Sequence, residues 1–260
     1  SHDLDIRGGG NLLGEEQSGH VKEVGFELYQ EMLKEAVLKA QGNSDVSNKE
    51  YKWSPNINLG IPVLIPEKYV EDLDVRISIY KRLGQIEEID NKHRIILTGN
   101  KVLDLGCSPG SWLQYASRKV GNSGHVLGID VQPVKISLPL NVKVIRADIF
   151  EITNKELHIK AGKPDVILSD MAPKTSGIRS TDAHRSFALN KKVLNIANEI
   201  LRAEGSLLVK TFQGILLDEL CSEFRKMFAK VKLCKPKSSR SESAEIFILG
   251  THKKNNLKIN

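Results

Sequence analysis

The chain has 260 residues, of which 40% are hydrophobic and 27% are charged, as in an ordinary globular protein. Its formal charge is +6, and no apolar stretch reaches the ~20 residues that a membrane-spanning helix needs, which excludes a transmembrane protein. No basic segment followed by an apolar one marks a secretion signal, so we expect a cytoplasmic protein. Three widely spaced cysteines, Cys107, Cys221 and Cys234, suit neither a disulfide framework nor a structural zinc site.

The charge is divided unevenly along the chain. Residues 1–90 contain 10 Lys and Arg against 17 Asp and Glu, a net charge of −7. Residues 91–260 contain 28 Lys and Arg against 15 Asp and Glu, a net charge of +13. This asymmetry predicts two modules and favours a polyanionic partner, such as nucleic acid, for the second. A basic surface that is merely solvated is the alternative.

The first module is predicted to be mainly helical. Apolar residues at helical spacing predict an amphipathic helix over about 21–40, and the polar stretch 42–48 predicts a loop. Prolines bracket the apolar run 61–66, which is an edge strand at best. A second helix is predicted over 70–83, with its end at Gly84.

Residues 1–84 resemble a C-terminal stretch of the bacterial transcription-repair coupling factor. The resemblance is carried by the segments 2–14, 17–20, 25–29 and 65–83. In that family the glycine-rich part lies at the end of a motor, beside a motif that couples ATP hydrolysis to DNA translocation. The phosphate-binding loop G-x-x-x-x-G-K-[ST] is absent from this sequence, so the resemblance implies a fragment without ATPase activity. A retained docking function is the alternative.

Apolar runs of strand length recur from residue 100 onward and alternate with segments of helix length. This pattern predicts a doubly wound, mostly parallel α/β sheet, in which ligands bind beyond the carboxyl ends of the strands. The predicted strands are 101–106, 124–130, 142–145, 165–168, 206–210, a segment near Val231 and 246–251, and the predicted helices run to about Val120, over about 186–201 and over 216–228.

Acidic residues at the predicted strand ends indicate a cofactor that contains adenosine. Asp130 ends the second strand and suits a carboxylate that accepts both ribose hydroxyls, and Asp148, after the third strand, suits the adenine amino group. Asp104 stands just before the loop from Gly106 to Gly110, where its charge disfavours a phosphate and favours a sulfonium or ammonium group. These acids favour S-adenosylmethionine. An NAD dehydrogenase and a set of turn residues without any ligand are the alternatives.

Four motifs of the second module resemble those of the FtsJ/RrmJ ribose 2′-O-methyltransferases. They are D-L-G-C-S-P-G-S-W from Asp104, S-D-M-A-P from Ser169, V-K-T-F-Q-G from Val209, and K-P-x-S-S-R-S-x-S-x-E ending at Glu245. The resemblance implies a Rossmann-like domain over 85–254 that depends on S-adenosylmethionine, followed by a tail over 255–260. It also implies methylation of a ribose 2′-hydroxyl in RNA, of a uridine in large-subunit ribosomal RNA for bacterial members of this size.

The same resemblance assigns roles to individual residues. Lys210 is implied as the base or the orienting group for the ribose hydroxyl, with Asp170 and Glu245 as the acids beside it. A lysine accepts a proton only when it is neutral, a state that burial favours and neighbouring carboxylates oppose. The residues implied at the cofactor are Gly110, Trp112, Asp130, Asp148 and Asp170.

One position departs from the family pattern. The family has a lysine 19 residues before the equivalent of Asp104, where this chain has Gln85. Lys81, one helical turn earlier, can replace that lysine if the helix continues through Gly84. The alternatives to an active enzyme are therefore a catalytically impaired protein that binds RNA or the cofactor, and an interaction module based on residues 1–84.

Basic residues near the predicted site indicate how RNA would be held. One set precedes Glu245 and is placed to contact phosphates, and two more residues follow Asp170 in a loop rich in Ser, Thr and Gly. These residues are Lys226, Lys230, Lys232, Lys235, Lys237 and Arg240, and then Lys174 and Arg179. With only 5% aromatic residues, recognition is expected through RNA backbone and shape rather than base stacking. We expect a monomer whose partner is ribosomal RNA or the large ribosomal subunit, with no membrane and no metal.

Overall fold

The computed structural model describes residues 73–134, 136–173, 179–237 and 244–255, without the side chains of residues 73–77, 179 and 180. The elements predicted before residue 70 lie outside these ranges. No helix within the ranges is both long enough and apolar enough to cross a membrane. The elements are α1 (Leu73–His93), β1 (Lys101–Leu105), α2 (Ser111–Val120), β2 (His125–Asp130), β3 (Val142–Arg146), α3 (Asn154–Ala161), β4 (Val166–Ser169), α4 (Arg179–Ile200), β5 (Ser206–Phe212), α5 (Leu217–Met227), β6 (Phe228–Cys234) and β7 (Glu245–Lys253).

Seven strands form one mixed sheet in the order β3-β2-β1-β4-β5-β7-β6. Strands β1 to β5 pair in parallel, and β7 lies antiparallel between β5 and β6. The chain builds outward from β1 to β3 and then returns to the other side of β1 with β4. Ligands of such sheets bind where this reversal leaves a crevice at the carboxyl ends of the strands. The prediction of a doubly wound, mostly parallel α/β sheet is confirmed.

Helices cover both faces of the sheet, which explains why its central strands β1, β4 and β5 are buried nearly throughout. Buried residues of α1 and α2 pack on one face, and those of α3, α4 and α5 pack on the other. Successive strand residues alternate between the two cores, as Val102 and Leu103 of β1 do. All three cysteines are buried free thiols, so they contribute to packing.

Most predicted element boundaries lie within a few residues of the observed ones, although α4 begins earlier, at Arg179. The short helix α3 is missing from the prediction. Its start carries a capping box, in which Thr153 and Glu156 each bond the other's backbone N–H. Leu157 is its one buried residue, so the helix lacks the periodic apolar pattern by which longer helices are predicted.

The prediction that a helix ends at Gly84 is wrong, because α1 continues through this residue to His93. A glycine in a helix interior costs about 1 kcal/mol relative to alanine. Burial of Leu83, Ile86 and Ile89 on either side of it outweighs that cost. The continuous helix places position 85 one turn after position 81 on the same face.

The carboxyl-terminal end of α1 is anchored by the buried carboxylate of Asp90. Its Oδ1 accepts hydrogen bonds from the backbone N–H groups of Ile95 and Ile96 at 2.7 and 2.8 Å. Its Oδ2 accepts a hydrogen bond from the Tyr115 hydroxyl at 2.8 Å. Burial, together with the charge of Asp90, raises the pKa of Tyr115, so this hydroxyl keeps its proton and donates. Asp90 therefore fixes the turn after α1 and ties α1 to α2.

Asp90→Ala is expected to lower the free energy of unfolding by about 2–4 kcal/mol, because three donors lose one buried, charged acceptor. Tyr115→Phe removes only the hydroxyl and is expected to cost about 1 kcal/mol. Urea unfolding followed by circular dichroism measures both values. Losses of equal size in the two variants would show that Asp90 does not anchor the turn.

Candidate active site

A glycine-rich turn joins β1 to α2 at the carboxyl end of the central strand. Gly106 and Gly110 have φ values of 80° and 113°, which residues with a side chain rarely adopt. Space requires glycine as well, because a Cβ at Gly106 would overlap the Met171 side chain and one at Gly110 would overlap that of Ile136. The predicted cofactor loop thus has a backbone that only glycine permits at both of these positions.

Asp130 and Asp148 stand at the carboxyl ends of β2 and β3, the two strands on one side of β1. Asp130 ends β2, and its carboxylate accepts hydrogen bonds from the backbone N–H groups of Ser108 at 2.9 Å and Gln132 at 2.8 Å. Asp148 follows β3, and its Oδ1 accepts the N–H of Phe150 at 2.9 Å. A carboxylate offers about four acceptor sites, so both acids retain lone pairs for the hydroxyls and the amine of an adenosine.

The most deeply buried acid of the site is Asp104 on β1, which is 0% exposed. Neither of its carboxyl oxygens has a hydrogen-bonding partner within the part of the chain that the structure describes. Burial raises the pKa of Asp104 well above its usual value, and the negative charge of Asp170 adds to this effect. The Arg82 guanidinium opposes the shift only in part. A cationic ligand at this point would supply the missing donors and favour the charged carboxylate.

Lys210 and Asp170 form a buried ion pair at the carboxyl ends of β5 and β4. The Lys210 Nζ lies 2.6 Å from Asp170 Oδ1, and the two side chains are 7% and 3% exposed. The register that pairs Ser169 with Val209 sets the residues that follow them side by side. Two residues from separate motifs are thereby brought into contact.

Glu245 begins β7 and projects from the same face of the sheet as Lys210. The antiparallel register places Lys210 opposite Phe247, and Phe212 opposite Glu245, so Glu245 is the diagonal neighbour of Lys210 on that face. Its Oε2 accepts a hydrogen bond from Lys81 Nζ at 2.8 Å. Helix α1 therefore reaches over this face and contributes a cation to it.

Arg82 is a site residue that the sequence analysis misses. Its Nε lies 3.1 Å from Asp170 Oδ2, and its Nη1 donates to the Ser108 carbonyl at 2.7 Å. Asp170 is therefore held between two cations, Arg82 and Lys210. The one signal in the sequence is the adjacent pair Lys81-Arg82 ahead of the glycine turn, and without a structure such a pair cannot be told from a solvated helix face.

Two positions singled out from the sequence are buried almost completely. The Trp112 ring packs against Phe247 with 5.9 Å between ring centroids, and its indole N–H donates to the Arg82 carbonyl at 3.1 Å. Trp112 thus supports the helix that carries Arg82, and its contact with a cofactor stays a prediction. Gln85 of α1 is 2% exposed.

Four of the basic residues predicted to hold RNA lie along one edge of the sheet. Lys230 and Lys232 are exposed on the edge strand β6, and Lys235 and Lys237 are exposed just beyond it. Lys226 is paired with an acid of its own helix at 2.7 Å. Three predicted residues lie outside the described side chains: Lys174, Arg179 and Arg240. Among the described residues, no group of three or more His, Cys, Asp or Glu side chains could hold a metal ion.

The family model of the FtsJ-like methyltransferases matches residues 85–253, a range that includes the glycine turn and the Lys210–Asp170 ion pair. The chain belongs to the FtsJ-like methyltransferase family. A second family model, that of the TRCF domain, matches residues 59–96. The two matches overlap over residues 85–96, most of which belong to α1, and both resemblances seen in the sequence are confirmed.

Curated relatives and a solved structure agree with this family membership. Ribosomal RNA large subunit methyltransferase E of Desulfatibacillum aliphaticivorans is 44% identical over 177 residues, which cover 68% of this chain and 84% of that protein. The protein of the same name from Buchnera aphidicola is 38% identical over 208 residues, which cover 77% of this chain and 98% of that protein. A crystal structure of a ribosomal RNA methyltransferase from Plasmodium falciparum superposes with a TM-score of 0.59 at 26% identity, over 66% of this chain and 96% of that one.

As a member of this family, the protein uses S-adenosylmethionine, and the residues at the strand ends fit that cofactor. S-adenosylmethionine carries an ammonium and a sulfonium group, and Asp104 offers two buried carboxyl oxygens without partners among the described residues. Asp130 and Asp148 keep acceptor sites for its adenosine. A dinucleotide would instead bring a pyrophosphate towards this concentration of negative charge. The NAD dehydrogenase considered from the sequence is therefore set aside.

Asp104→Asn is expected to stabilise the cofactor-free protein and to weaken cofactor binding. Because burial raises the folded-state pKa of Asp104, the folded protein binds its proton more tightly than the unfolded chain does. Stability therefore falls as the pH rises from about 4, the unfolded-state value, through the folded-state pKa. Asparagine does not ionise, so the advantage of the variant in Tm should grow over the same range. Thermal unfolding at pH values between about 4 and about 8 measures it.

Calorimetric titration at neutral pH is expected to show at least a ~10-fold weaker affinity of Asp104→Asn for S-adenosylmethionine, because a charged acceptor is lost. Glu151→Gln, an exposed acid that follows β3, serves as the control and should leave both quantities unchanged. A Tm difference that does not vary with pH would contradict the assignment of Asp104 as a buried titrating group.

Proposed function

We propose that this protein transfers the methyl group of S-adenosylmethionine to a ribose 2′-hydroxyl of a uridine in large-subunit ribosomal RNA. The relatives at 44% and 38% identity, each named ribosomal RNA large subunit methyltransferase E, support ribosomal RNA as the substrate. The observation that carries the proposal is the ion pair of Lys210 with Asp170, with Glu245 as the diagonal neighbour of Lys210. This pair stands one strand away from the glycine turn.

Lys210 is suited to orient the attacking hydroxyl. When bound, S-adenosylmethionine supplies a methyl group on a sulfonium sulfur, the electrophile that a ribose oxygen can take. A ribose hydroxyl is a poor nucleophile at neutral pH, so the protein has to hold it in place and stabilise its partial deprotonation. The Lys210 Nζ lies 2.6 Å from Asp170 Oδ1, and a lysine ammonium donates hydrogen bonds and accepts none. We therefore assign Lys210 the role of directing the 2′-oxygen and stabilising the negative charge that develops on it.

Asp170 gives the Lys210 ammonium one preferred direction. Arg82 contacts the second oxygen of the same carboxylate, so Asp170 cannot turn without breaking an ion pair. Both members of the inner pair are nearly buried, and charges that are removed from water interact more strongly and need less reorganisation. Asp170 is thus a positioning residue for Lys210.

The basic surface of residues 91–260 supports RNA as the partner. Its net charge is +13, and exposed lysines follow the edge strand β6 towards the start of β7. Contacts of this kind act on phosphates and place the RNA without reading its sequence. We propose ribosomal RNA or the assembled large subunit as the substrate, and a monomeric enzyme that acts in the cytoplasm, where ribosomes are made.

The alternatives considered from the sequence have less support. A function confined to an interaction module of residues 1–84 does not explain why residues 85–253 match the methyltransferase family model. The proposed boundary between modules at residue 84 also falls inside α1, whose residues Ile79, Tyr80 and Leu83 are part of the core of the second module. We retain the division into 1–84, 85–254 and 255–260 as a proposal about sequence relationships. If Gln85 impairs catalysis instead, the wild-type protein is expected to bind S-adenosylmethionine but to transfer no methyl group in the experiment that follows.

Lys210→Met is expected to lower kcat for methyl transfer about 10²–10⁴-fold, because the ammonium is lost while the apolar stem is kept. The assay measures transfer of tritium from labelled S-adenosylmethionine to large ribosomal subunits that lack the modification. Resistance of the labelled position to alkaline cleavage identifies the ribose 2′-oxygen as the site of methylation.

Lys160→Met is the matched control, since it removes the same charge from the exposed face of α3 and should leave kcat unchanged. A wild-type protein that binds S-adenosylmethionine but labels no ribosomal RNA would contradict the proposed function. A methyl group found on a base rather than on a ribose would contradict the proposed chemistry.

A further inference from the structure

One polar residue interrupts the apolar stripe of helix α4. Val193, Leu194 and Ala197 of this helix are buried in the core between α4 and the sheet. Asn190 lies on the same face one turn earlier, and it is 1% exposed. Helical periodicity places an apolar residue at such a position, and a polar one costs free energy there unless it is hydrogen-bonded. The partners of Asn190 therefore decide what it does.

The side-chain amide of Asn190 is partnered at one end. Its Nδ2 donates a hydrogen bond to the backbone carbonyl of Lys210 at 3.3 Å. Its Oδ1 is buried and has no hydrogen-bonding partner among the residues that the structure describes. A carbonyl oxygen only accepts, so the donor end of the amide has to face Lys210. The arrangement keeps a donor aimed at the Lys210 backbone and leaves a buried acceptor unpaired, which lowers stability.

The backbone of Lys210 lies where β5 loses one of its two strand neighbours. Ser169 and Val209 form the last residue pair of β4 and β5, whereas β5 continues to Phe212. From Lys210 onward, β7 is the one strand of the described chain that pairs with β5. The hydrogen bond from Asn190 meets β5 at this point. Helix α4 thus holds the backbone where β4 no longer does.

Asn190 and Asp170 hold Lys210 at its two ends. Asn190 binds the backbone carbonyl, and Asp170 Oδ1 lies 2.6 Å from Nζ. Val209 belongs to the core that α4 covers, and Leu208 belongs to the core that α1 covers. Since side chains alternate along a strand, Lys210 points to the side of α1. Asn190 therefore acts on the strand from the opposite face and does not contact the ammonium.

We propose that Asn190 is a positioning residue for methyl transfer, whose amide fixes the backbone of Lys210 at the end of β5 and so keeps the ammonium aligned with Asp170 and with the ribose 2′-oxygen. This inference rests on the proposed function. A shift of the Lys210 backbone moves Nζ with it, and a displacement of ~1 Å at a reacting centre can cost about 10²-fold in rate. The unpaired Oδ1 is stability given up for this alignment.

The test compares variants of the full chain with the wild-type protein on large ribosomal subunits. Asn190→Leu removes the amide and should lower kcat about 10- to 100-fold, with KM for subunits and the affinity for S-adenosylmethionine nearly unchanged. Asn190→Ala removes the amide without adding bulk and should show a fall of the same order. Asn190→Gln keeps the donor and should retain more of kcat than either. Asn195→Leu makes the first change on the exposed face of α4 and should match the wild-type protein.

Thermal unfolding separates positioning from a structural role. Leucine fits the apolar stripe and removes the unpaired acceptor, so the Tm of Asn190→Leu should lie above that of the wild-type protein or within about 4 °C of it. A residue that only stabilises the fold would instead lower kcat and Tm together.

The outcomes also separate this inference from the proposed function. Asn190→Leu and Asn190→Ala variants as active as the wild-type protein overturn the inference and leave the function standing. So does a loss that appears in KM or in cofactor affinity rather than in kcat, and so does a fall in kcat that Asn190→Gln shares in full. A drop in Tm that accompanies the loss in both apolar variants overturns it as well. A wild-type protein without ribosomal RNA methylation contradicts the function itself, and the inference with it.

Discussion

The carboxylate of Asp170, held between Lys210 and Arg82, is the interaction on which the arrangement of the site depends. A buried ion pair costs desolvation, which attraction between its charges offsets only when each charged group lies close to a partner of opposite charge. Lys210 comes from β5 and occupies one oxygen, while Arg82 comes from α1 and occupies the other. Arg82 also bonds the glycine turn through the Ser108 carbonyl. One carboxylate thereby joins two strands, a helix and the glycine turn.

Burial of the Asp104 carboxyl is a second constraint on the same region, because it disfavours the charged form of this group. Among the described residues, its buried carboxyl oxygens have no hydrogen-bonding partner. Burial raises the pKa of Asp104 and so disfavours its charged form in the absence of a cation. Stability is given up here for a group that a cationic cofactor can use, which is a common relation between binding sites and stability. The two hydrophobic cores offset this loss of stability, because they bury the apolar strand residues around Asp104 on both faces of the sheet.

At α1, basic residues of the acidic part of the chain form ion pairs with acidic residues of the basic part. The acidic first 90 residues include Lys81 and Arg82, and these two basic side chains face acids of the basic part of the chain. Periodicity could not predict this arrangement, because the glycine at position 84 is a common end signal and its cost is small beside the burial around it. Arg82 was beyond prediction for a related reason. Its partners lie 26 and 88 residues away in the sequence, and no local pattern records them.

The sequence by itself determined the glycine turn and the order of the strands and long helices from residue 100 onward, without the short helix α3. Its resemblance to a known family added Lys210, Asp170 and Glu245 as candidates. Local periodicity, positive-φ turns and strand-end acids are properties of neighbouring residues, and they can be recognised without a fold. The tertiary structure decided the rest, because ion pairs and burial depend on which strand ends lie next to each other. Only the sheet register shows that Glu245 is the diagonal neighbour of Lys210, and only the packing of α1 shows which cation Glu245 receives.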